Sequence, residues 1–148
     1  MTKLYIAVLD EFPDYMTPTL VAHAVLGAHL KFSEKYICPE FQSWEYSNYV
    51  NWFKNSFKKC VVRVNQKEFD KITALPDVYL GHENNTLEGR KSCAVVCPMP
   101  NEELPNVLKF AKLWKPKENI WLKEILSAAD DGNEERLAWA ISMARNEI

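Results

Sequence analysis

Thr17-Pro18-Thr19-Leu20-Val21-Ala22-His23-Ala24-Val25-Leu26-Gly27-Ala28-His29 follows closely on the apolar run Leu4 to Leu9, and together they read as a strand handing the chain to a first helix. The run is rich in branched residues, which suits a central strand covered on both faces. Glu11 to Met16 is the connecting loop. Thr17 then caps a helix whose first position is Pro18, where a missing N–H costs nothing. Leu20, His23, Ala24, Gly27 and Ala28 recur at helical spacing on one stripe, with Val21 and Val25 beside it. That stripe is expected to face the sheet and to carry His23 with it. A glycine inside a helix costs about 1 kcal/mol against alanine, and close packing of helix on strand is the expected compensation at Gly27. His29 comes late in the helix and suits its negative end.

Outward from this unit, Tyr36 to Phe57 holds Tyr36, Phe41, Trp44, Tyr46, Tyr49, Trp52, Phe53 and Phe57, a loop through Cys38-Pro39 followed by a short helix. Such an insert is either a stacking platform and partner surface or a small satellite core over the sheet edge. Lys59 to Val64 reads as strand two, Gln66 to Ala74 as a helix stopped by Pro76, Asp77 to Leu80 as strand three and Ser92 to Cys97 as strand four. The polar loop Gly81 to Lys91 joins the last two. Asn101 is expected to open a helix running through Trp114, with Glu102 and Glu103 favoured by the dipole of its first turn. Past Pro116 the pattern turns wholly helical, Lys117 to Ala129 and Glu134 to Asn146 forming a hairpin about Asp130-Asp131-Gly132-Asn133.

A chain of 148 residues suits one core. Its 18 basic and 20 acidic side chains leave a net charge of −2, so there is no global pull toward a phosphate backbone or an anionic membrane. Cys38, Cys60, Cys93 and Cys97 make no CxxC pair and have no histidine at zinc-like spacing, which argues for buried free thiols and no metal. No cofactor motif is present. The first apolar run is too short for a signal peptide or membrane span, so a cytoplasmic protein is expected. No internal repeat is visible, which excludes a solenoid.

Three stretches taken in order are similar to the type II peptidyl-tRNA hydrolases: Ala22-His-Ala-Val-Leu-Gly-Ala28, Lys59-Cys-Val-Val-Arg-Val-Asn65 and Ala94-Val-Val-Cys-Pro-Met-Pro-Asn-Glu-Glu-Leu104. The likeness spans Lys3 to Trp114. It implies an α/β fold, a four-stranded mixed sheet with helices on both faces over residues 1–116, to which residues 117–148 add a C-terminal helical hairpin. It also implies metal-free cleavage of the ester between peptide and tRNA. In that family a basic residue after strand one and a glutamine one turn before the helix histidine help form the active site. Here Asp10-Glu-Phe-Pro-Asp-Tyr-Met16 contains no Lys or Arg, and the glutamine position is Leu20. Where the family has an Asp-Ala-Gly-Arg-Thr loop after strand three, this chain has Leu80-Gly-His-Glu-Asn-Asn-Thr86, leaving His82, Glu83 and Thr86 as loose substitutes.

Ester cleavage needs a positioned base and donors for the developing oxyanion, and holding tRNA needs cations opposite its phosphates. Carboxylates at Asp10, Glu11 and Asp14 would repel that backbone. The candidate catalytic set is therefore His23, His82, Glu83 and Thr86, and the candidate binding set is Trp52, Lys54, Lys58, Lys59, Arg90 and Lys91. The first lysines belong to the one basic concentration, with Arg63, Lys67 and Lys71; Arg90 and Lys91 sit where they would clamp an anion or block a strand edge. Three readings follow. The leading one is a noncatalytic or degenerate hydrolase-like module, phage-encoded in origin, that binds a protein or RNA partner, tRNA included. The second is an active hydrolase with a rearranged site, using His82 or Glu83 near His23 with Lys91 or Lys58 supplying charge. The third is a structural homo-oligomer, a homodimer in its simplest form, built through Glu134 to Ile148.

Overall fold

Alternation along β1 (Lys3–Leu9) places Leu4, Ile6 and Val8 on one side and Tyr5, Ala7 and Leu9 on the other, and both rows are largely buried. The computed structural model describes residues 2–37, 44–84, 87–117 and 120–146. β1 pairs in parallel with β2 (Lys58–Val64) and antiparallel with β4 (Lys91–Val96); β3 (Val78–His82) borders β4, and a short β5 (Lys112–Leu113) borders β2. The result is one open mixed α/β sheet in the order β3-β4-β1-β2-β5. Contacts divide the chain into two compact units, Met1–Lys115 and Pro116–Ile148.

Five strands stand where four were expected, and the reason lies in the stretch read as a helix from Asn101 to Trp114. Pro105 disfavours helical dihedrals at Leu104, which is extended at ψ 121°. A 3-10 turn over Asn101–Glu103 therefore stops, and only α4 (Asn106–Lys109) restarts. The freed chain then lays Lys112 and Leu113 against Arg63 and Val62 as an edge strand. A short stretch so close to a break has too few turns to hold a helix by itself.

Helix α1 (Thr17–Ile37) packs over β3 and β4. Leu20, Ala24, Ala28 and Phe32 form its buried row. His23 is exposed, contrary to the sequence expectation. One residue along a helix turns the side chain by about 100°, so the step from Ala24 to His23 carries it off the sheet-facing row. α3 (Gln66–Thr73) lies on the other side, begun by a capping box in which the Asn65 side chain accepts from Glu68 N–H and Glu68 accepts from Asn65 N–H. Leu4 lines a pocket with α1 residues and Leu9 one with α3 residues, the opposite-face placement that strand alternation requires.

After α2 (Trp44–Asn51), a π-turn runs over Trp52–Ser56 and ends at Phe57. Tyr49 and Trp52 join the main core while Phe53 and Phe57 stay half exposed, so the aromatic insert is part core and part surface. Cys38-Pro39 and Phe41 lie outside the described residues. In the second unit, α5 (Ile120–Asp131) and α6 (Glu134–Asn146) pack on each other, with Ala128 and Ala140 buried and Arg136 bonded to Glu124, Asp131 and Ser127. Asn133 caps α6 by accepting from Arg136 N–H. No described helix is long and apolar enough to cross a membrane.

α1 reaches the sheet through small residues. A Cβ on Gly27 would lie 2.1 Å from the Tyr79 hydroxyl, and one on Gly81 would lie 2.7 Å from the Ala24 Cβ. Gly27→Ala gains about 1 kcal/mol of helix propensity but forces Tyr79 aside at a cost of about 1–3 kcal/mol. The expected outcome is a less stable protein by urea melt. In a Tyr79→Ala background the same change becomes neutral or stabilising, and an unrelieved loss there refutes the packing account.

Candidate functional site

The carboxyl ends of β1 and β2 lie side by side, the position where open α/β sheets gather ligands. Arg63, one residue from the end of β2, dominates it. Its Nη1 donates to Asp10 Oδ1 at 2.9 Å and Asp14 Oδ1 at 3.0 Å, and its Nη2 donates to Asp14 Oδ2 at 3.1 Å and the Lys115 carbonyl at 2.6 Å. The guanidinium also lies 5.1 Å from the Trp114 ring centroid. The hydrogen bond to Asp14, with Asp10 adding to it against the opposing effect of burial, holds the Arg63 proton more tightly than usual. Two of the three carboxylates that sequence alone left unopposed thus have a cation of their own. No spacing along the chain announces this, because the partners lie about fifty residues apart and meet only through strand pairing.

Beside the clamp, Leu9, Glu11 and Phe12 face Gln66, Phe69 and Asp70 of α3 across a cleft of about 470 Å³. Gly89, Arg90 and Lys91 close it, and Arg90 lies 5.1 Å from the Phe12 ring centroid. Cations and carboxylates share this cleft, which suits a ligand or partner surface bearing both signs. Among the described residues that line it, none is His, Cys or Ser.

The expected catalytic residues fall elsewhere. His23 is exposed on α1. His82 ends β3, exposed and opposite Lys91 across a bulge. Glu83 accepts from Leu87 N–H at 3.2 Å with its carboxylate and from Gly89 N–H with its carbonyl, which folds the loop back on itself. Thr86 lies outside the described residues. Of the binding set, Arg90 and Lys91 meet in the cleft. Lys58 is exposed and supplies the carbonyl that accepts from the Trp52 indole at 2.7 Å, and Lys54 is exposed on the π-turn.

Lys59 and Trp52 meet at a second place. The Lys59 ammonium lies 3.1 Å from the Phe57 centroid and 5.8 Å from that of Trp52, at an apolar pocket of about 180 Å³. His29, expected only to favour the negative end of a helix that in fact runs on to Ile37, forms one wall. Its Nδ1 shares a 2.7 Å hydrogen bond with the Tyr49 hydroxyl, and its ring stacks on Phe53 at 5.5 Å. Nothing in the sequence pairs residues twenty positions apart on two different helices. Burial, with a smaller contribution from Cys97, pushes the Tyr49 hydroxyl up to about 12. Among the described residues no group of three or more His, Cys, Asp or Glu is placed to hold a metal ion, and burial pushes the Cys93 thiol up to about 11.

A scan of protein-family models and a search of curated proteins each return no match to this chain.

Two measurements check this geometry. Arg63→Lys keeps the charge but loses the planar fork, and it is expected to lower stability by about 1–3 kcal/mol. A double-mutant cycle should give larger coupling with Asp14, held twice, than with Asp10; equal or absent coupling contradicts the clamp. The Tyr49 pKa is raised on folding, so its contribution is complete below pH 10.0 and disappears as pH climbs toward about 12. The stability advantage of wild type over Tyr49→Phe should shrink across that window, and a constant difference would show that Tyr49 is not buried as described.

Proposed function

We propose that this protein is a noncatalytic binding module on a scaffold resembling the type II peptidyl-tRNA hydrolases, a cytoplasmic regulator that holds a protein or RNA partner. The observation that carries this reading is the engagement of Arg63. Gripping and cutting a charged RNA ester calls for a cation directed at phosphate and a base directed at water. At the carboxyl edge of β1 and β2 the guanidinium is instead spent on Asp10, Asp14 and the Lys115 carbonyl. The dispersal of the acid–base candidates supports the same view: His23 points to solvent, His82 sits at a strand end and the Glu83 carboxylate organises its own loop. What remains at that edge is a mixed-charge cleft and, at the aromatic insert, a half-exposed ring cluster with a lysine over it. Both are means of holding rather than of cutting.

Incubation of the purified protein with an N-blocked aminoacyl-tRNA is expected to release no more amino acid than a heat-denatured control, even at high protein concentration. Turnover that disappears in His82→Ala would replace this reading with an active hydrolase whose site has been rearranged.

A further inference from the structure

The aromatic face between α1 and the π-turn has more apolar surface than a core needs. Leu26 and Leu30, four residues apart on α1, are 69% and 67% exposed, and Phe53 and Phe57, four apart along the π-turn and its end, are 48% and 47% exposed. Isolated surface leucines need no explanation, but a contiguous set of large side chains around a concavity marks an interaction site. Leu26, Phe53 and Phe57 all line the pocket of about 180 Å³, with the His29–Tyr49 pair in its wall. The backbone here is held in an uncommon form. Phe57 is left-handed at φ 53°, pinned by its N–H donating to the Trp52 carbonyl at 2.7 Å, at the end of a π-turn of the kind often found at functional sites.

We infer that this face receives an acidic amphipathic helix from a protein partner, which seats one large apolar side chain in the pocket and sets a neighbouring carboxylate against Lys59. The inference rests on the binding-module reading and names its partner class. Three features select this occupant. The pocket is smaller than the roughly 300–1,000 Å³ of sites that enclose a small molecule, and it matches a single anchoring side chain of the sort that dominates protein interfaces. Its rim is partly aliphatic through Leu26, with Leu30 one turn further along α1, and large apolar side chains at that helical spacing beside Phe53 and Phe57 suit the i, i+3 and i+4 anchors of a helix. Among the described residues its charge has one sign: Lys59 stands over the rings, Lys54 is exposed on the π-turn that carries Phe53, and none of the described lining residues is acidic. An amphipathic helix with Asp or Glu flanking its apolar row supplies the complement.

The full chain is used to select from a displayed library of randomised helical peptides, and the enriched sequence is synthesised with a fluorescent label. The expected pool carries Leu, Phe or Trp at helical spacing beside Asp or Glu. Leu26→Ser, Phe53→Ser and Lys59→Glu, all at exposed positions, should each weaken binding about tenfold or more, and high salt should erase much of the Lys59 effect. Amide shifts mapped on the wild-type chain should move at Leu26, Leu30 and Phe53, a readout independent of how any variant folds. An empty pool, a pool without acidic residues, or shifts confined to other surfaces overturns the inference. So does labelled oligouridine binding, or self-association of the chain, that disappears in the same three variants. Turnover of blocked aminoacyl-tRNA would defeat the binding-module reading separately. A silent tRNA assay with an empty peptide pool defeats only the partner named here.

Discussion

The guanidinium of Arg63 is the constraint on which the carboxyl edge of this sheet depends. It joins the end of β2, the loop after β1 through Asp10 and Asp14, and the close of the first unit through the Lys115 carbonyl, with Trp114 against its face. A planar fork can satisfy several acceptors at fixed angles, which an ammonium cannot. The acidic loop is thereby ordered by attraction, and the edge that looked anionic in the sequence is close to balanced. The adjacent cleft, lined by Glu11 and Asp70 as well as Arg90 and Lys91, continues that balance.

A second constraint sets where α1 lies. Gly27 against Tyr79 and Ala24 against Gly81 bring the helix axis close to β3 and β4. With that side committed to the sheet, the same helix turns Leu26 and Leu30 outward. His29 then meets Tyr49 and Phe53. One packing contact so determines both a buried interface and the exposed face beside it, because side chains on a helix are fixed in angle relative to one another. The aromatic insert contributes in two parts: Tyr49 and Trp52 anchor it in the core, while Phe53 and Phe57 remain accessible.

Much of the chain was legible from local pattern. The branched run of β1, the valines of β2 and the turn at Gly132-Asn133 each act within a few residues, and the elements they form or end lie where their chemistry places them. The helix expected from Asn101 to Trp114 is broken for an equally local reason, since Pro105 divides the segment. His23 misled because a five-residue stripe is wider than the row that touches the sheet.

The sequence by itself determined the α/β class, the order of most elements and the small residues that let helix approach strand, because these follow from periodicity, capping and side-chain size along a short stretch. Only the tertiary structure decided that Arg63 answers Asp10 and Asp14, that β5 extends the sheet, and that His29, Tyr49, Trp52 and Lys59 share one pocket. Those facts depend on strand register and on the angle at which helices cross the sheet. A charge pair or a pocket wall between distant residues is set by these global quantities, and no local pattern encodes them.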